Sequence, residues 1–174
     1  QGASFGYTEP SLVWQMQMTV ALEALEGRLY PEAQGLLEAT VKNAEKFAVN
    51  DVRLATSLSY LAFVHALQHD PAAAERAAQR ALSILEQSAG SGHNLLPLSF
   101  TALAFSHLRA DFQPAKALPY FQRALRVLGG ALVRDHPVIG LHLAGLAACH
   151  LAQSQAEQAK PLLEQAIAIA EMQY

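Results

Sequence analysis

The chain carries a single cysteine, Cys149, in 174 residues. One thiol excludes an intramolecular disulfide framework and any multi-cysteine metal site; it is compatible with the cytosol, which is slightly favoured, and with the periplasm or secretion. Charge is also scarce: Asp, Glu, Lys and Arg together make up 16%, with a formal net charge of −3. That balance gives no basic footprint for nucleic acid or for acidic membranes. Long apolar runs are missing. A membrane span needs roughly 20 consecutive apolar residues, and the longest candidate, Pro137 to Ala152, is interrupted by His142 and His150. Alternating apolar–polar runs are absent too, which leaves no convincing strand. Gly90-Ser91-Gly92 and Gly129-Gly130 lack the lysine and the Ser/Thr of a phosphate-binding loop. The chain opens on Gln1 rather than methionine, which reads as a processed or excised piece with no legible signal peptide.

What is present is apolar mass and repetition. Apolar residues reach 52%, enough to bury a core. Leu61-Ala62-Phe63-Val64-His65 returns as Leu103-Ala104-Phe105-Ser106-His107 and again as Leu146-Ala147-Ala148-Cys149-His150, at steps of 42 and 43 residues. A second pattern follows each time: Ala74, Ala78, Ala81, Leu82; then Ala117, Phe121, Ala124, Leu125; then Ala159, Leu163, Ala166, Ile167. Its offsets of 0, 4, 7 and 8 are identical in the three copies. A fainter first copy places Val20 in the leucine position, followed by Ala33, Leu37, Thr40 and Val41.

Such offsets mark one face of an α-helix, so each copy predicts two antiparallel helices. The expected spans are 11–26 and 30–46, 52–68 and 71–87, 95–110 and 114–128, and 137–153 and 156–172. Pro31, Pro71 and Pro114 fall where second helices start, and Asp70 is placed to cap one of them. Glycine-containing stretches at 89–92 and 129–130 are expected to separate copies, and His136-Pro137 opens the last. Alanines at matching places let backbones approach while Leu, Phe and Ile fill the flanks. One such hairpin exposes too much apolar surface to stand alone, and stacking removes it. The expectation is an all-α chain: a segment 1–10, then one solenoid domain over 11–174 with repeats at 11–50, 51–92, 93–135 and 136–174.

These residues resemble the tetratricopeptide repeat, whose helix–turn–helix unit carries Leu followed by a small residue, then Ala, an aromatic or Leu, and Ala-Leu in the second helix. The long period, Asp135-His136-Pro137, and the run Ala159-Lys160-Pro161-Leu162-Leu163-Glu164-Gln165-Ala166-Ile167 are similar to the kinesin-light-chain variety. The resemblance spans roughly residues 11–172 and implies a right-handed superhelix that holds other proteins. The aromatic usual after Leu-small is replaced by His65, His107 and His150, and by Ala24 in a degenerate first unit.

In that family the first helix of each unit lines the concave surface. Carried over, this assigns Met18, Leu22 and Leu25; Ser59, Phe63 and Ala66; Thr101, Phe105 and Leu108; and Ala144, Ala148 and Leu151 to a mostly apolar trough, flanked by Tyr60, Arg109 and Glu26. The resemblance further implies that the Lys/Asn clamp for a C-terminal carboxylate is missing from those places. An apolar groove receives an amphipathic helix or an extended apolar peptide; the other reading of the same residues is packing on one another or on the first ten residues.

The remaining reactive types form no site. Equivalent histidines in stacked hairpins lie about 10 Å apart, whereas zinc needs ligands within about 2.1 Å, so they read as packing residues. His69, His93, His136 and His142 have no metal-ligand spacing. Cys149 and His150 are adjacent, which on a helix points them about 100° apart, the wrong geometry for a nucleophile and its base. Glu23 and Glu26 fall on an exposed helix face. No catalytic, cofactor or metal residue is assigned. The expected function is a non-enzymatic scaffold for another protein, the alternative being a small-molecule or lipid sensor using the same trough. The apolar last helix, with Leu162, Leu163, Ile167 and Ile169, predicts either a homodimer contact or a piece cut from a longer array.

Overall fold

The proline, capping and alanine signals resolve into helices over the residues that the computed structural model describes, 9–88, 95–109, 112–131 and 136–172. Eight helices follow one another: α1 (Glu9–Glu26), α2 (Tyr30–Ala44), α3 (Val52–Leu67), α4 (Pro71–Ser88), α5 (Leu96–Arg109), α6 (Pro114–Ala131), α7 (Pro137–Ala152) and α8 (Ala156–Glu171). Residues 1–8, and with them most of the expected N-terminal segment, lie outside the described residues, as do Gly90-Ser91-Gly92, His93 and Asp135.

Helix starts follow from local chemistry. Pro71, Pro114 and Pro137 are first residues, where a missing N–H is no loss. Asp70 accepts the Ala73 N–H at 3.0 Å, Asp51 accepts that of Arg53 at 2.8 Å, and Nδ1 of His136 accepts that of Val138 at 3.2 Å. Each hairpin then turns on one left-handed residue, and none is glycine: Arg28, His69, Phe112 and Ser154 have φ of 58°, 62°, 46° and 61°. The following amide closes back on the end of the first helix, Leu29 to Ala24, Asp70 to His65, Gln113 to His107 and Gln155 to His150, at 2.7–2.9 Å. After α1, α3 and α7 the bond spans five residues, the Schellman arrangement, and Gln113 reaches one residue further; each satisfies a carbonyl that the helix end orphans.

One expected separator behaves otherwise. Gly129 and Gly130 do not break the chain but form the last turn of α6. A Cβ at either position would meet nothing within 4 Å, so both are on open surface, while Leu128 beside them is buried. Packing of Leu128 outweighs the modest helix penalty of glycine, about 1 kcal/mol each.

The helices form two layers. α3, α5 and α7 lie side by side, and α1 joins them through the Trp14 indole, which donates to Ser57 Oγ at 2.9 Å. Each of α2, α4 and α6 packs on the first helix of its own hairpin and on that of the next. The core fills this interlayer space with Ala74, Ala78, Ala81, Ala117, Ala124 and Ala159, all fully buried, and with Leu37, Leu85 and Phe121 between them. The result is an α-solenoid of four stacked hairpins.

Two kinds of rung tie the hairpins. In the inner layer they are buried: Ser59 Oγ and Ser99 Oγ are 2.8 Å apart, and Thr101 Oγ1 and His142 Nε2 are 2.6 Å apart. Each joins the residue two before one leading leucine to the residue four before the next. In the outer layer they are exposed ion pairs at matching places, Arg80 to Glu45 at 2.8 Å and Arg123 to Glu86 at 3.2 Å. Exposed pairs contribute about 0–1 kcal/mol, so the buried rungs and the core carry the register.

Candidate functional site: the inner-helix face

The buried rungs sort the residues expected to line the trough. Ser59 and Thr101 are rung members, and Thr101 also donates to the Pro97 carbonyl at 2.6 Å. Met18 occupies the same repeat position and is buried as well. These three, with buried Ala66, are therefore seam residues between hairpins rather than docking side chains. The resemblance put Met18, Ser59 and Thr101 on the face, one turn from Leu22, Phe63 and Phe105, but the neighbouring hairpin covers that turn.

The partly open residues are Leu22, Leu25, Phe63, Phe105, Leu108 and Ala148, with Leu151 51% exposed. Leu22, Leu25 and Phe63 pack against the core of the first two and a half hairpins. Phe105 and Leu108 pack on a second cluster around Phe121, the Phe105 and Phe121 rings meeting edge to face at 5.3 Å. Tyr60 is half-buried, Glu26 is exposed, and the side chain of Arg109 lies outside the described residues.

Leu98 and Leu141 complete the open face and were missed. Each stands seven residues before Phe105 or Ala148, which on a helix is the same side two turns earlier. Thr56 holds the matching place before Phe63. The signal was available in the heptad spacing, which the repeat template does not use. The face is thus a strip of Thr56, Phe63, Leu98, Phe105, Leu108, Leu141, Ala148 and Leu151 running across α3, α5 and α7. It is almost entirely apolar and carries no titratable side chain among these residues.

The histidines at equivalent places serve different local purposes. His107 is buried and stacks on Tyr120 with centroids 5.8 Å apart, whereas Nδ1 of His150 meets Gln155 Oε1 at 2.7 Å. His65 is half-buried, and burial pushes its pKa down despite the opposing pull of Asp70 and Glu38. Burial likewise raises the Cys149 thiol to about 11, so it is neither thiolate nor nucleophile at neutral pH. Among the described residues, no group of three or more His, Cys, Asp or Glu could hold a metal ion, and no helix is long and apolar enough to cross a membrane.

A second open apolar surface lies at the end of the stack, where Pro137, Gly140, Leu141 and Ala144 of α7 face Leu163, Ala166, Ile167 and Ala170 of α8 around a hollow of about 600 Å³.

Comparison with known proteins agrees with this architecture. Two models of the tetratricopeptide repeat match, over residues 54–95 and 95–172. No curated protein matches the chain. Among solved structures, BtubC (BKLC) from P. vanneervenii is similar with a TM-score of 0.80 at 15% identity, over 98% of this chain and 68% of that one. Two structures of a putative kinesin light chain from Podosopora anserina, with nearly identical repeats, give TM-scores of 0.76 and 0.64 at 23% and 22% identity. They cover 96% and 92% of this chain and 78% and 76% of theirs. By repeat pattern, hairpin stacking and matched segments, the chain belongs to the tetratricopeptide repeat family, with a fold of the kinesin-light-chain kind.

Proposed function

We propose that this chain is a non-enzymatic scaffold whose inner-helix strip receives an apolar peptide or one face of an amphipathic helix. Repeats of this family mediate protein–protein interaction, and the finer assignment rests on one observation: partly open, mostly apolar residues stand at matching places on three helices whose register is held by buried rungs. Rigid apolar surface loses little entropy on binding, and the ordering cost falls on the partner. Phe63, Phe105, Leu108 and Leu151 are the anchors.

Selection of a displayed library of helical peptides against the chain tests the proposal. Enriched peptides are expected to carry an apolar stripe at helical spacing. Leu151→Glu, at an exposed position, and Phe63→Ser with Phe105→Ser are expected to weaken them at least tenfold, about 1.4 kcal/mol. Val49→Glu, exposed in the connection between α2 and α3 and outside the strip, is expected to leave them unchanged. Binding at full affinity by the strip variants, with helicity intact, refutes the assignment. Native mass spectrometry separates the small-molecule alternative, which requires a co-purifying ligand that the same substitutions remove.

A further inference from the structure

The two ends of the stack are complementary. Every inner helix after the first buries the same three places against the preceding hairpin: the leading leucine and the residues four and seven before it. These are Leu61, Ser57 and Leu54 in α3, and Leu103, Ser99 and Leu96 in α5, all buried, with the same pattern in α7. In α1 the corresponding Val20, Met16 and Val13 are 48%, 70% and 40% exposed. The opposite end mirrors this. Ile167 of α8 is 55% exposed where Val41 and Leu82 are buried, and Leu125 partly buried, beneath a following helix. Ala170 is exposed where Ala44, Leu85 and Leu128 are buried.

We infer that the hollow between α7 and α8 receives α1 of a second copy of this chain, so that copies join head to tail. What covers this surface is specified inside the molecule: at three internal seams its equivalent is covered by an inner helix presenting the side that α1 leaves open. The join continues that seam in the same register. The rung positions fit as well. Where the second and third seams pair Ser59 with Ser99 and Thr101 with His142, the join pairs Ala144 with Met16. Both are apolar, so this rung leaves no polar side chain buried without a partner. The interface uses two different surfaces, so it does not close on itself and gives chains of growing length rather than a two-fold dimer. It shares Leu141 with the strip and is otherwise carried by different residues.

Sedimentation of the full chain from micromolar to millimolar concentration, with two single variants at exposed positions, tests this. Wild type is expected to gain mass steadily beyond a dimer as concentration rises. Met16→Glu blocks the head and Ile167→Glu the tail, so each alone is expected to stay at one chain mass, with circular dichroism unchanged. Their equimolar mixture has one good head and one good tail and is expected to give a one-to-one dimer that grows no further. The inference is overturned by wild type that stays monomeric, by Met16→Glu that still associates (a tail-to-tail contact), by Ile167→Glu that still associates (head to head), or by a mixture that stays monomeric.

Discussion

Thr101 has one hydroxyl proton and two acceptors at 2.6 Å, the Pro97 carbonyl and Nε2 of His142. Nδ1 of His142 faces the Val138 carbonyl at 2.7 Å, where an N–H donates, which leaves Nε2 as the acceptor in the neutral ring. Burial lowers the His142 pKa, and the bond to Val138 opposes it. The folded chain thus protonates His142, and likewise His65, at lower pH than the unfolded chain, which takes up the proton below about 6.5. Below that pH the unfolded state binds more protons. Stability is therefore full above about 6.5 and is lost as pH falls toward the folded values, at up to about 1.4 kcal/mol per unit for each ring. Urea denaturation from about pH 7.5 to 5.5 is expected to show this slope. His142→Ser, which rebuilds the rung as two hydroxyls like Ser59 and Ser99, is expected to reduce it.

At the scale of helices, one close approach governs how α7 meets α6. Phe121 occupies the place held by Leu37, Ala78 and Leu163 in the other copies, and its ring is accommodated because residue 145 is glycine. A Cβ there would lie 2.5 Å from two ring carbons of Phe121. Gly145→Ala is expected to cost about 1–3 kcal/mol through overpacking, and Phe121→Leu in the same chain is expected to recover part of it as a coupling between neighbours. Gly35 in α2 is the contrast, with nothing within 4 Å of an added Cβ. Gly35→Ala is expected to stabilise the chain by about 0.5–1 kcal/mol through helix propensity alone. Denaturant midpoints of the two variants check both signs.

Across the whole molecule, stability is a chain of nearest-neighbour seams, because α3–α6 have hairpins on both sides while α1 and α8 have one. Amide hydrogen exchange is expected to proceed fastest in α1 and α8 and slowest in α3 and α5, where Leu61, Ala62, Leu103 and Ala104 are buried. Uniform protection from α1 to α8 in dilute solution would contradict that ordering. Raising the concentration is expected to slow exchange in the two end helices alone if they cover one another.

Helix spans, hairpin pairing and the stacked order were legible in the chain, because the 4, 7 and 8 offsets and prolines at helix starts are local signals that propagate through each repeat. Phe63, Phe105 and Leu151 were assigned to the inner face by the resemblance to the repeat family. What the sequence could not decide is which turn of that face a neighbour covers. Ser59 and Thr101 are polar and read as accessible, yet each finds its partner 40 or 41 residues away and is buried with it. Leu98 and Leu141 were assigned no role, yet Leu98 is partly open and Leu141 exposed. Periodicity tells which residues share a side of a helix, but burial depends on the distance between hairpins. That distance is set by pairs such as Phe121 and Gly145, 24 residues apart, whose sizes match only once the helices have met.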